Sequence, residues 1–63
     1  MTYYCVTTSI NDHGKVHAMI TSSIEADKMP DGTFISTRFK DVYTDWFDSF
    51  EEAKDFVRQS KNA

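Results

Sequence analysis

Cys5 and His17 are the residue types in this chain best suited to covalent chemistry, because a thiol turns nucleophilic when a nearby base or positive charge favours its thiolate. Asp12, His13 and His17 form the closest group of metal-ligating side chains, and an ion would need them to converge on one point. A third set carries binding chemistry. Asp41, Asp45, Asp48, Glu51, Glu52 and Asp55 are interleaved with Tyr43, Trp46, Phe47 and Phe50, and carboxylates steer a partner of opposite charge while aromatic rings anchor it.

What these side chains can do depends on the elements that hold them. Thr2–Ile10 and Lys15–Ile24 are rich in β-branched and aromatic residues and are separated by Asn-Asp-His-Gly, which reads as a hairpin over residues 2–24. A type I turn with Gly14 in the left-handed conformation sets Asn11 opposite Lys15. Counting from there, Ile10 faces Val16, Thr8 faces Ala18, Val6 faces Ile20 and Tyr4 faces Ser22, so the apolar residues of both strands share one face. The same register puts Ser9 opposite His17 and Thr21 opposite Cys5. Cys5 and His17 are then two same-face steps apart, on the order of 10 Å, too far for a hydrogen bond. An inert, buried or half-buried cysteine is the simpler reading, and the turn does not aim Asp12, His13 and His17 at one point.

Residues 25–32 (EADKMPDG) read as a surface connection that closes in a turn. Thr33–Lys40 alternates, with Ile35, Thr37 and Phe39 on one side and Phe34, Ser36, Arg38 and Lys40 on the other. Residues 41–47 either continue this third strand or fold back as a short fourth. Lys40-Asp41 is a poor two-residue turn, which favours continuation or an irregular crossing. Ser49-Phe50-Glu51-Glu52 is a capping-box sequence that opens a helix over 49–60, whose Phe50, Ala53, Phe56 and Val57 follow helical spacing. The expected fold is α+β: one two-layer β-β-β-α domain over residues 1–63, a three-stranded antiparallel sheet with its C-terminal helix on one face. The stretch Phe47–Phe56 resembles the sheet-to-helix passage of many small domains, among them the arm-binding domains of phage-type integrases, which are also three strands and a helix. The likeness lies in a cap and helical spacing over about ten residues, and those domains are typically basic.

At 63 residues the chain has room for one small core. A single cysteine excludes a disulfide scaffold. The content, 40% hydrophobic with two Gly and one Pro, is that of a folded domain. The longest apolar run, Tyr3–Val6, is four residues, far short of the roughly 20 needed to span a bilayer, and the chain has no basic leader, so a soluble, cytoplasmic protein is expected. Glycine-rich phosphate loops, serine elbows and paired helical histidines are missing. The expectation is therefore a non-enzymatic protein with no metal and no cofactor.

The net charge of −3 is unevenly spread. Residues 1–40 carry four acids and four bases, residues 41–55 carry six acids and one lysine, and Arg58 and Lys61 follow. The negative excess therefore sits in Asp41–Asp55. In the plainer reading these acids serve the helix cap and dipole and the aromatics are core, which accounts less well for Asp41, Asp45 and Asp48 because they precede the helix. The leading expectation is an interaction module, of the kind of a small bacterial or phage-type regulator or inhibitor, that docks Asp41, Tyr43, Asp45, Trp46, Asp48, Glu51, Glu52 and Asp55 on a basic partner protein. The second is single-stranded nucleic acid or RNA binding on the open sheet face through Tyr3, His17, Phe34, Arg38 and Lys40, which the net charge disfavours. In the third, the open face joins two copies into a homodimer.

Overall fold

The computed structural model describes residues 1–61. The first hairpin forms as its turn chemistry requires. Gly14, at φ +79°, donates its N–H to the Asn11 carbonyl at 3.0 Å, and the Asn11 N–H donates to the Lys15 carbonyl at 3.0 Å. The Asn11 side-chain oxygen accepts from the N–H groups of His13 (3.0 Å) and Lys15 (2.9 Å), so one asparagine satisfies the donors of the whole turn. Strands β1 (Thr2–Asn11) and β2 (Val16–Glu25) pair in the counted register from Ile10–Val16 to Val6–Ile20.

Beyond Val6 the register departs from the count. Cys5 pairs with Ser22, not Thr21, and Tyr4 with Ser23, not Ser22. Thr21 is an extra residue, a β-bulge, and its hydroxyl bonds that of Thr7 at 2.9 Å. A bulge moves every later side chain of its strand to the other face. Ile24 consequently lies opposite Tyr3, on the face away from the helix.

Of the alternatives for residues 33–47, the chain takes the fourth strand, not the favoured continuation or irregular crossing. Strand β3 is Thr33–Ser36, the chain reverses at Thr37–Phe39, and β4 is Lys40–Phe47. The reversal comes before Lys40-Asp41 and is built by Thr37. Its N–H donates to the Lys40 carbonyl at 2.8 Å, its hydroxyl donates to the same carbonyl at 2.9 Å and accepts from the Lys40 N–H at 3.1 Å. β4 then pairs with β1, giving a four-stranded antiparallel sheet in the order β2-β1-β4-β3. Residues 26–32 must link one edge to the other, across the end where β1 begins and β4 finishes. At its close Gly32 lies against β4, where a Cβ would stand 2.6 Å from the Thr44 carbonyl oxygen.

Helix α1 (Phe50–Lys61) starts at Ser49, whose carbonyl accepts from Ala53 (3.1 Å) and whose hydroxyl accepts from the Glu52 N–H (3.4 Å). It packs on β2 and β1 and only lightly on β4. Ala53 and Val6 are fully buried between helix and sheet. Phe56 meets Phe47 at 5.2 Å and Phe50 meets Tyr4 edge-on at 5.4 Å, geometries in which aromatic rings attract beyond their burial. Tyr3 and Cys5, expected on an open face, are also buried, at 7% and 5% exposure. They point away from the helix, and their cross-strand neighbours are Ile24, brought there by the bulge, and Trp46.

Candidate functional site

The register of β4 decides which of its acids and aromatics share a surface. Tyr43 lies opposite Thr8, Asp45 opposite Val6 and Asp41 opposite Ile10, which places all three on the helix-bearing face. On the other side Phe34 pairs with Tyr43 and Ser36 with Asp41. The Phe34 and Tyr43 rings stack with centroids 4.8 Å apart and planes tilted by 41°, and the Ser36 hydroxyl donates to the Asp41 carboxylate at 2.7 Å. Among the described residues the helix makes no contact with β3, and nothing else covers this part of the face. Phe34 is 58% exposed and Tyr43 37%. The result is an aromatic step flanked by two half-buried carboxylates, Asp41 and Asp45.

The remaining residues of the acidic set spread from this patch. Trp46 points to the opposite face, beside Cys5, and is half-buried. Asp48 is exposed in the link to the helix, Glu51 and Glu52 are exposed in its first turn, and Asp55 is exposed and bridged to Arg58 at 3.1 Å. Among the described residues, six of the eight keep a ring or a carboxylate outside any ion pair, Asp41 accepting the Ser36 hydroxyl, Asp55 being bridged to Arg58 and Trp46 turned away. Lys54 sits over the Phe50 ring at 5.6 Å, and with Arg58 it borders a shallow groove of about 400 Å³ floored by Ala18, Ile20 and Val57. Lys54 and Arg58 thus lie on the β2 side of the helix.

The sheet-face set does not assemble. Tyr3 is buried, and Phe34 projects on the helix-bearing side, opposite to Tyr3 and His17. Arg38 belongs to the β3–β4 turn, and Lys40 begins β4 beside Asn11, far along the sheet from Tyr3. Of Cys5 and His17, the first is buried opposite Ser22 and the second exposed opposite Ser9. Asp12 and His13 approach each other at 3.7 Å in the turn, and among the described residues no three His, Cys, Asp or Glu side chains converge.

The sequence reading assigned Tyr43 to the acidic set and Phe34 to the sheet-face set, and so missed their partnership. A signal for it existed. Folding back about Arg38-Phe39 sets hydroxyl against carboxylate at Ser36–Asp41 and ring against ring at Phe34–Tyr43, both favourable cross-strand pairs. The fold and surface define a small α+β domain, four antiparallel strands and one helix, with an exposed aromatic-carboxylate patch at one sheet edge. Comparison with protein-family models, with curated proteins and with solved structures returns no match for this chain.

Proposed function

We propose that this protein is a non-enzymatic interaction module that docks the β3–β4 side of its helix-bearing face on a basic surface of another protein. The observation that carries the reading is the Phe34–Tyr43 stack, exposed beside Asp41 and Asp45. Exposed aromatic pairs are the side chains from which interfaces draw most of their energy, and neighbouring carboxylates select cationic partners and speed encounter. Asp48, Glu51 and Glu52 widen the negative field around the anchor. Such a patch suits a partner rich in Arg, whose guanidinium both stacks on rings and pairs with carboxylates.

The test is made on a protein captured from the source cell and then purified. Its affinity for the native chain should fall as salt rises. Changing Asp41, Asp45 and Asp48 to Asn should weaken binding and flatten that salt dependence, and Phe34→Ala should weaken it at every salt concentration. Equal affinity for the native chain and both variants refutes the proposal.

A further inference from the structure

We propose that this chain assembles head to tail, with β3 of one copy pairing antiparallel along the open edge of β2 in the next. The proposal rests on the reading of the Phe34–Tyr43 patch as a docking surface and names a second copy as its occupant. β2 and β3 are the two edges of the sheet. Edge strands are usually blunted by Lys, Pro, an inward charge or a bulge. Residues 16–20 have none of these and end where the bulge at Thr21 begins. Thr33–Ser36 is likewise uncharged, and its four residues fit along those five.

The two backbones are complementary. The bond from the Asn11 N–H to the Lys15 carbonyl sets the alternation of the first hairpin, so Val16, Ala18 and Ile20 turn their own N–H and C=O groups away from β1. On β3 the bond from the Thr37 N–H to the Lys40 carbonyl does the same for Phe34 and Ser36. Each strand runs opposite to its neighbour in the order β2-β1-β4-β3. A second copy shifted along the sheet therefore brings its β2 antiparallel to β3, with both helices on one face.

The side chains select the register and the occupant. Setting Phe34 opposite Ile20 puts Ile35 opposite Met19 and Ser36 opposite Ala18. On the helix-bearing face the Phe34 ring then enters the groove floored by Ala18, Ile20 and Val57. On the other face Ile35 and Met19, 58% and 62% exposed in the single copy, cover each other. Asp41 and Asp45 stand two strand spacings, about 10 Å, from that β2, on the side where Lys54 and Arg58 border the groove. Arg58 is already bridged to Asp55, so Lys54 brings the added positive charge. Like edges lack this match. Two β2 edges would set Lys54 and Arg58 against their own copies, two β3 edges would do the same with Asp41 and Asp45, and each pairing would leave Ile35 or Met19 uncovered. A head-to-tail contact leaves one edge of each kind open and so continues beyond a dimer.

The test is sedimentation of the native chain from about 1 µM to about 1 mM, the range of weak to moderate interfaces. Species larger than a dimer should grow with concentration and shrink as salt rises. Met19→Lys blocks only the β2 edge and Ile35→Lys only the β3 edge, because a lysine on an edge strand opposes pairing. Both side chains are exposed, and circular dichroism checks that each variant keeps its fold. Each alone should associate at least about tenfold more weakly than the native chain. An equal mixture should form a heterodimer and stop there, since it holds one intact edge of each kind. Neither residue belongs to the aromatic-carboxylate patch, so at concentrations where the native chain is monomeric both variants should bind the basic partner protein as it does. A native chain that is monomeric at about 1 mM, or that stops at a dimer, overturns head-to-tail pairing. So does a mixture of folded variants that forms no heterodimer. None of these results touches the patch reading, which fails through its own variants at Phe34, Asp41, Asp45 and Asp48.

Discussion

Phe34 and Tyr43 stack at 4.8 Å across the β3–β4 pair on the part of the sheet that α1 leaves uncovered. Their contact organises the outer edge of the domain, because β3 is only four residues long and pairs with β4 alone. Cross-strand aromatic pairs contribute about 0.5–1.5 kcal/mol beyond burial. Phe34→Ala and Tyr43→Ala are each expected to lower unfolding stability by about 1 kcal/mol, and the double variant by less than the sum. Urea unfolding of the four proteins in this cycle measures the coupling, and a coupling of zero contradicts the stack.

Thr8 poses the opposite case. Its side chain is buried against the helix at 7% exposure, and its hydroxyl has no hydrogen-bond partner among the described residues. A buried hydroxyl without a partner costs on the order of 1–3 kcal/mol. Thr8→Val keeps the shape and removes the polar atom, so it should raise stability by about 1 kcal/mol. A lower thermal midpoint for this variant would show that the hydroxyl is satisfied in solution.

The two glycines should respond differently to alanine. Gly14 has positive φ with open space around its Cβ position, so Gly14→Ala meets only backbone strain, about 1–2 kcal/mol. At Gly32 the added methyl would meet the Thr44 carbonyl at 2.6 Å, and backbone must move to admit it. Gly32→Ala is therefore expected to perturb β4, visible as amide shifts around Thr44 and Asp45, whereas shifts in Gly14→Ala stay within the first turn.

Deleting Thr21 tests the bulge. The deletion would restore a regular ladder and return Ile24 to the helix-bearing face, away from Tyr3. We expect a loss of about 1–3 kcal/mol, in the usual range for a disturbed core contact, and greater exposure of Tyr3. An unchanged stability would mean that the bulge places nothing of consequence.

Glu25 supplies a pH dependence. The Thr2 hydroxyl donates to its carboxylate, and the Met1 ammonium lies 3.5 Å from it. The hydroxyl is the main cause that holds its carboxyl below the ordinary glutamate range; desolvation opposes it, and the ammonium adds a lesser lowering effect. A depressed folded-state pKa contributes stability that is present above the unfolded value and is lost as pH falls through the folded one. NMR titration should find Glu25 deprotonating below an ordinary glutamate and moving up in Thr2→Val. The stability effect should be small, because the group is exposed.

Two kinds of information separate in this chain. The Asn11–Gly14 turn, the register from Ile10–Val16 to Val6–Ile20 and the Ser49 cap follow from residues within a few positions of one another, and all were legible in the sequence. A turn or a cap is decided by local backbone geometry and nearby donors. The bulge at Thr21 and the order β2-β1-β4-β3 were not, because each depends on partners distant in sequence, and the reversal at Thr37, though held by local bonds to Lys40, was masked by the pattern around it. The alternation of residues 33–40 suits one long strand as well as a strand and a turn. Only the pairing of β4 with β1, which buries Val6 and seats Phe47 under Phe56, selects the second. For the candidate site, sequence determined that acids and aromatics would gather after Lys40. Which of them share a face was decided by the tertiary register, because a strand sends successive side chains to opposite sides. That rule joined Asp41, Tyr43 and Asp45 to Phe34, and sent Trp46 to the other face.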